Sequence, residues 1–220
     1  MKNKAVIFDL DGTLWDAIGS IKEGWNLAMK SALSQLSFSY ERIKSFMGLT
    51  PEETISILSK EVPFKEAKKL FYLAMDSELK YLKDNPGTLY PDEEKVLKKL
   101  SEKYTLFVVS NAVNGYIDNY INYFHFDKYF SDFLCAGDTN LDKCENIKLI
   151  MKKHNIDKAI YVGDTQKDMI ESNKAGVYFV HAKYGFGKIK ENVTSIDSLS
   201  ELPHLVDDIF SMLDENVDAT

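Results

Sequence analysis

The chain is poor in cysteine, proline and arginine. Its 220 residues include only 2 cysteines and 5 prolines, and Arg42 is the single arginine. Two cysteines are too few for a disulfide framework, and the short spacing of Cys135 and Cys144 has no companion ligands for zinc. These scarcities exclude a disulfide-stapled scaffold and a structural zinc domain.

Long hydrophobic runs and basic clusters are missing as well. No apolar run approaches the roughly 18 residues of a membrane span, and no signal-sequence pattern is present. The net charge is −7, and no stretch carries the density of basic residues that a nucleic-acid surface needs. We therefore expect a cytoplasmic protein with no membrane and no nucleic-acid partner. The sequence is silent on its oligomeric state.

The strongest functional signal lies in residues 6–16. An apolar run ends there in two aspartates, Asp9 and Asp11, followed by Gly12. A buried strand that ends in carboxylates places them where open α/β sheets bind ligands. Two carboxylates this close repel unless a cation lies between them or one holds a proton. The segment therefore predicts a Mg²⁺ site, with one carboxylate free to act as nucleophile and the other as acid and base.

Two later apolar runs also end in polar groups. Residues 105–109 resemble a strand followed by Ser110 and Asn111, ahead of a helix expected near Val113. A hydroxyl, backbone N–H groups and a helix N-terminus would together suit a phosphate. Residues 159–162 form the next strand pattern and are followed by Asp164.

Downstream of that strand, Thr165 and Asp168 have the spacing of a helix capping box. Lys143 precedes a helical pattern over residues 145–154 and, taken singly, would pass for a surface charge. Residues 184–187 contain two glycines and either border the site or form a flexible loop.

The order of these groups resembles the four motifs of the haloacid dehalogenase superfamily, whose members are mostly phosphatases. The motifs are Asp-x-Asp at Asp9, Ser-Asn at Ser110, the lysine at Lys143 and Gly-Asp-x-x-x-Asp around Asp164. The resemblance extends over residues 4–187 and is closest to the branch of phosphoglycolate phosphatases and β-phosphoglucomutases. In many relatives a proline follows the lysine, whereas Cys144 stands there in this chain.

The resemblance implies a role for each motif residue. Asp9 would attack phosphorus, and Asp11 would act as general acid and then as general base. Mg²⁺ would be held by Asp9, the backbone carbonyl of Asp11 and Asp164, with Asp168 in support. Lys143 would assist catalysis, and the substrate phosphate would be bound by four residues, namely Gly12, Ser110, Asn111 and Lys143.

The remaining pattern predicts how the chain is organised. No strand signal recurs between Trp15 and residue 105, and helical patterns fill that interval. Strands and helices then alternate, which is typical of a doubly wound parallel sheet. We expect a Rossmann-like α/β core formed by residues 1–15 and 86–220, with an inserted all-helical cap domain at residues 16–85. By resemblance, the cap would close over the site.

Within the predicted cap, Gly48 and Leu49 resemble the loop through which such caps contact substrate. Arg42 lies just upstream and could bind a carboxylate or phosphate in a bidentate manner, although a solvated helix surface is the commoner place for arginine.

Three functions are compatible with these residues. We favour a phosphatase acting on a small phosphorylated metabolite, because Asp11 would supply the proton that an alcohol leaving group needs. A sugar-phosphate mutase keeps this aspartate but adds a cap residue, often histidine, and all four histidines, at positions 125, 154, 181 and 204, lie outside the predicted cap. A non-catalytic phosphate-binding protein is disfavoured by the intact acidic and lysine motifs.

Overall fold

A six-stranded parallel sheet forms the centre of the computed structural model, which describes residues 3–218. Its strands are β1 (Lys4–Phe8), β4 (Thr105–Ser110), β5 (Phe130–Cys135), β6 (Lys158–Gly163), β7 (Tyr178–Ala182) and β8 (Ser195–Ile196). A separate pair is formed by β2 (Trp15–Asp16) and β3 (Thr88–Leu89). The strand order is β5-β4-β1-β6-β7-β8, and every neighbouring pair is parallel. The doubly wound parallel sheet expected from the sequence is confirmed.

Strand β1 lies at the centre because it is apolar on both faces. Val6 and Phe8 pack into one hydrophobic cluster, and Ala5 and Ile7 pack into another on the opposite face. Strands buried on both faces have near-continuous apolar sequences rather than an alternating pattern. Because β1 pairs in parallel with both β4 and β6, the carboxyl ends of these three strands meet at one edge.

Helices cover both faces of the sheet. In the core they are α5 (Glu93–Lys103), α6 (Tyr116–Phe124), α7 (Ala136–Thr139), α8 (Lys143–His154), α9 (Gln166–Ala175) and α10 (Leu202–Asp218). Helices α5, α6 and α10 pack on the face of Val6 and Phe8, and α8 and α9 on the other. Within residues 3–218, no helix is long and apolar enough to span a membrane.

Four further helices form an inserted block between β1 and the rest of the sheet. They are α1 (Ile18–Ser31), α2 (Tyr40–Lys44), α3 (Pro51–Leu58) and α4 (Phe64–Asp84), and we call them the helical block. Helices α1 and α4 pack closely at Gly24, where a Cβ atom would lie 2.8 Å from the Cα of Glu78. Glycine is needed at this position because the two backbones leave no room for a side chain.

Both connections between the helical block and the core run through one small ribbon. Strand β2 (Trp15–Asp16) pairs antiparallel with β3 (Thr88–Leu89), so the outgoing and returning chains lie side by side. The expectation that no strand occurs between Trp15 and residue 105 was therefore wrong, and β8 was missed as well. Strands of two residues are too short to show the alternation by which strands are recognised.

Helix starts were predicted with mixed success. The capping box predicted at Thr165 is confirmed, with side chain and backbone bonded reciprocally. A second capping box occurs at Thr50, at the start of α3. Helix α6, expected near Val113, begins instead at Tyr116 after Gly115, which has a left-handed φ of 84°. The turn that precedes α6 thus separates the helix from Asn111.

Glu93 is a buried carboxyl group in the first turn of α5. One of its oxygens accepts a hydrogen bond from the Tyr120 hydroxyl, and the other, Oε2, is buried with no hydrogen-bond partner in the described part of the chain. Burial raises the pKa of Glu93 to about 8, against the opposing effect of the Tyr120 hydrogen bond. Glu93 is therefore mostly neutral in the folded protein at pH 7.

We expect the Glu93→Gln variant to be more stable than the wild type at pH 8.5 and similar to it at pH 4. The folded pKa of Glu93 lies above the unfolded value of about 4.3, so the wild type loses stability as pH rises from there to about 8. Glutamine does not ionise and avoids this loss. Thermal unfolding across pH should show a Tm gain of about 3 °C or more at pH 8.5.

The matched control is Glu94→Gln, which removes the exposed neighbouring carboxylate that pairs with Lys128. Its pH profile should follow that of the wild type. If Glu93→Gln also followed the wild-type profile, the carboxyl of Glu93 would not be held neutral by the fold.

Candidate active site

The carboxyl edge of β1, β4 and β6 bounds a cavity between the core and the helical block. Six of the residues predicted from the sequence line it on the core side, namely Asp9, Asp11, Ser110, Asn111, Lys143 and Asp168. Asp164 follows β6, and its carboxylate lies within 4.8 Å of those of Asp9 and Asp168. Residues far apart in the sequence therefore converge on one site.

Lys143 is the charged centre of this arrangement. It is the first residue of α8 and only 3% exposed, and its ammonium donates to Asp9 Oδ1 at 2.9 Å and to Asp168 Oδ1. Burial alone would lower the pKa of Lys143, but the charges of Asp168 and Asp9 outweigh it and keep the pKa well above its ordinary value. Lys143 is therefore a cation that fixes the orientation of the Asp9 carboxylate.

Asp9 is the first residue after β1 and is 6% exposed. Its backbone N–H donates to the carbonyl of Val162 at 2.8 Å, which continues the pairing of β1 with β6. Burial raises the pKa of Asp9 to about 6, against the opposing effect of the Lys143 charge. The carboxylate is thus desolvated but still ionised near pH 7, as a nucleophile must be.

Asp164 has one oxygen bonded and one free. Its Oδ2 accepts hydrogen bonds from the backbone N–H groups of Phe186, at 2.7 Å, and Gly187, at 3.0 Å. Its Oδ1 is buried and has no hydrogen-bond partner within the described residues. Burial, followed by the charges of Asp168 and Asp9, raises the pKa of Asp164 well above its ordinary value. An orphaned oxygen in a cluster of carboxylates fits a hard divalent cation.

Asp168 is already saturated with protein contacts. Its Oδ2 accepts from the backbone N–H of Thr165 at 2.9 Å and from the Thr165 hydroxyl at 2.6 Å, while Oδ1 accepts from Lys143. Asp168 thus both caps α9 and holds the ammonium of Lys143 in place. Of the three clustered carboxylates, Asp9 and Asp164 are the ones with capacity for a metal.

Asp11 is held by two aromatic donors. The indole N–H of Trp15 donates to Asp11 Oδ1 at 3.0 Å, and the Tyr116 hydroxyl donates to the same oxygen at 2.8 Å. Desolvation raises the pKa of Asp11 to about 8, with added contributions from the charges of Asp9 and Glu78 and opposing ones from these hydrogen bonds. The carboxyl group is therefore mostly protonated at pH 7. Sequence reasoning missed Trp15 and Tyr116, because no pattern marks an aromatic donor.

The loop after β7 packs against Gly12 and Asp164. Gly12 has a φ of +82°, and a Cβ atom there would lie 2.4 Å from Asp164 Oδ2. At Gly185 a Cβ atom would lie 2.3 Å from the Gly12 carbonyl oxygen and 2.4 Å from the Cβ of Asp164. Of the two interpretations left open for residues 184–187, the structure supports the first, since this loop packs on the site and donates to Asp164.

Ser110 and Asn111 lie at the end of β4 and face the same cavity. The Ser110 hydroxyl accepts a long hydrogen bond, 3.4 Å, from the backbone N–H of Ala112. Because α6 begins only at Tyr116, this corner offers a hydroxyl, an amide and a turn backbone rather than the helix N-terminus that the sequence suggested.

The helical block contributes the opposite wall. Gly48 and Leu49 line the cavity, and the Gly48 carbonyl accepts from Lys167 of α9 at 3.4 Å. Two further wall residues, Trp25 and Glu78, were not identified as site residues from the sequence. A glutamate in a long amphipathic helix is ordinarily exposed, so its pattern gave no signal.

Arg42 is not brought into this cavity. Its guanidinium forms an ion pair with Glu61, donates to the Ser37 carbonyl at 3.0 Å and lies 4.7 Å from the centroid of the Phe38 ring. These partners hold the side chain at the surface of the helical block. The structure therefore favours the commoner, solvated role for this arginine.

Comparisons with known proteins agree on one family. The haloacid dehalogenase-like hydrolase family model matches residues 6–182. Phosphoglycolate phosphatase of Vibrio parahaemolyticus is 27% identical, covering 92% of this chain and 96% of that protein. Its counterpart from Aquifex aeolicus is 25% identical, covering 93% and 97%. A haloacid dehalogenase-like family hydrolase from Streptococcus pneumoniae shares the fold, with a TM-score of 0.74 at 20% identity and coverage of 94% and 97%.

We expect Gly185→Ala to lower the free energy of unfolding by about 2 kcal/mol, as overpacking does in a tight site. The added methyl group would collide with the backbone of Gly12 and with Asp164. Denaturant unfolding gives the measurement. Gly19→Ala is the matched control, since a Cβ atom there has no neighbour within 4 Å. Equal stability of the two variants would contradict the close approach of this loop to Asp164.

Proposed function

The chain belongs to the haloacid dehalogenase-like hydrolase family, and on that premise we propose that it is a Mg²⁺-dependent phosphatase working through an aspartyl-phosphate on Asp9. The family together with the phosphatase relatives indicates a phosphoric monoester hydrolase, and the proposal concerns the metal, the intermediate and the residues. The observation that carries it is the buried contact of Asp9 with Lys143, beside an oxygen of Asp164 that has no hydrogen-bond partner among residues 3–218. Small phosphomonoesters are the substrate class named for its relatives.

The metal would be held by Asp9, the backbone carbonyl of Asp11 and Asp164. This donor set of hard oxygens suits Mg²⁺, and Asp164 Oδ1 would otherwise stay buried and unpaired. When bound, Mg²⁺ would neutralise negative charge on the phosphate and so allow the Asp9 carboxylate to approach it. Lys143 supplies a second positive charge at the same place.

In the first half-reaction an oxygen of Asp9 attacks phosphorus, and the bond from phosphorus to the leaving oxygen breaks. Asp11, protonated near neutral pH, gives its proton to that oxygen and releases an alcohol. Ser110, Lys143 and backbone N–H groups near Gly12 and Asn111 bind the phosphoryl oxygens as charge redistributes.

In the second half-reaction water attacks phosphorus of the aspartyl-phosphate. Asp11, now a carboxylate, takes a proton from that water, and the bond between phosphorus and Asp9 breaks to give inorganic phosphate. The Asp9 carboxylate and the protonated Asp11 are restored. Trp15 and Tyr116 hold Asp11 in one orientation for both proton transfers.

We expect Asp9→Asn to lose at least about a thousandfold in phosphate release from p-nitrophenyl phosphate, because a covalent nucleophile is removed. A chelator should abolish wild-type activity, and added Mg²⁺ should restore it. Asp127→Asn, at an exposed position outside the cavity, is the control that retains activity. A metal-independent rate unchanged in Asp9→Asn would refute the mechanism.

Conversion of a hexose 1-phosphate to its 6-phosphate isomer with little free phosphate would point to the mutase instead.

Mg²⁺ should also stabilise the fold in the absence of substrate. Saturation at a hundred times the dissociation constant corresponds to about 2.7 kcal/mol, visible as a rise in Tm. Asp164→Asn should abolish most of this rise. Asp142→Asn is the matched control, because Asp142 belongs with Cys144 and Glu171 to a second set of potential metal ligands that does not include Asp9 or Asp164. A response lost in Asp142→Asn and kept in Asp164→Asn would place the ion elsewhere.

A further inference from the structure

Glu78 is a buried carboxyl group that the mechanism above does not use. It lies on α4, is 5% exposed and lines the cavity from the side of the helical block. The indole N–H of Trp25 donates to its Oε2 and thereby fixes the side chain. Glu78 Oε1 is then the oxygen left to meet a bound molecule.

The wall around Glu78 is otherwise apolar. The residues of the helical block that line the cavity include Trp25, Phe46, Phe71 and Met75. Among the described residues of this wall, Glu78 is the one with an ionisable side chain. On the core side Lys143 is the cation along the cavity, and it is already paired with Asp9 and Asp168. The described lining therefore offers no free cation to the part of a substrate that lies under the helical block.

The titratable group that Glu78 influences across the cavity is another carboxyl group, Asp11, rather than a cation. The Glu78 carboxylate is close enough to Asp11 to raise the pKa of that group, and burial raises the pKa of Glu78 itself to about 7. A substrate carboxylate placed here would be repelled by the ionised form of Glu78 and would lose its hydration without gaining a cationic partner. An ammonium or a hydroxyl would instead donate to Glu78 and offset its desolvation.

We infer that Glu78 is a specificity-determining residue that accepts a hydrogen bond from an N–H or O–H group on the leaving alcohol, and that it rejects leaving groups ending in a carboxylate. This inference rests on the proposed function and narrows its substrate class to phosphorylated amino alcohols and polyols. Phosphoglycolate, the substrate in the names of the relatives, carries a carboxylate at this place and would be disfavoured.

Three phosphomonoesters of nearly equal size test the inference: ethanolamine phosphate, 2-hydroxyethyl phosphate and phosphoglycolate. Their terminal ammonium nitrogen, hydroxyl oxygen and carboxylate oxygens lie the same number of bonds from phosphorus. For the wild type with Mg²⁺, kcat/KM should be at least about thirtyfold higher for one or both of the first two than for phosphoglycolate. The ratio between the first two distinguishes an amino alcohol from a polyol.

Glu78→Gln should reduce the discrimination against phosphoglycolate to about fivefold or less, mainly through KM. Glutamine keeps an acceptor for Trp25. The matched control is Glu93→Gln, which makes the same substitution at a buried glutamate outside the cavity lining. If either variant fails to fold, the order of kcat/KM for the three esters with the wild type still tests the inference. A kcat/KM for phosphoglycolate equal to or higher than those of ethanolamine phosphate and 2-hydroxyethyl phosphate would overturn the inference, while the proposed phosphatase activity would stand. No Mg²⁺-dependent hydrolysis of p-nitrophenyl phosphate would instead overturn the proposed function.

Discussion

The buried ion pairs of Lys143 are the constraint on which the site depends. A lone ammonium or carboxylate in such a dry position would be costly, and each charge here is tolerable only because the others are present. The contacts tie together the end of β1, the start of α8 and the first turn of α9. The proposed chemistry and the packing of the core therefore rely on the same three side chains, which leaves little freedom to change any of them separately.

The parallel sheet makes this constraint achievable. Because β1, β4 and β6 run side by side in one direction, their polar ends meet without any long loop having to reach across the molecule. The core side supplies fixed charge and hydrogen-bond donors, whereas the helical block supplies an apolar wall with a single carboxyl group. In the proposed mechanism, the core binds the phosphate and the helical block selects the leaving group.

Most of the core and its charged residues could be predicted from the sequence, because strong strand patterns ended in motif residues. Very short strands and single side-chain hydrogen bonds could not be predicted from the sequence. The strands β3 and β8 contain two residues each, which is too few to show an alternating pattern. Trp15 and Tyr116 each donate one side-chain hydrogen bond to Asp11, and no sequence periodicity marks such a contact. Glu78 lies among ordinary helix residues, and only tertiary packing shows that it is buried. Arg42 is the opposite case. Arginine is a residue type that often binds phosphate, but contacts with Glu61 and Phe38 keep this one out of the cavity.

The ribbon of β2 and β3 has a mechanical consequence. Trp15 belongs to that ribbon and also donates to Asp11, and the backbone at Gly87 packs so tightly on its indole that a Cβ atom there would lie 2.8 Å from it. Any tilt of the helical block must pass through these two strands, which are its covalent attachments to the sheet. A rotation of the helical block relative to the sheet would therefore move Trp15 and, with it, the carboxyl group of Asp11, the proton donor of the proposed mechanism.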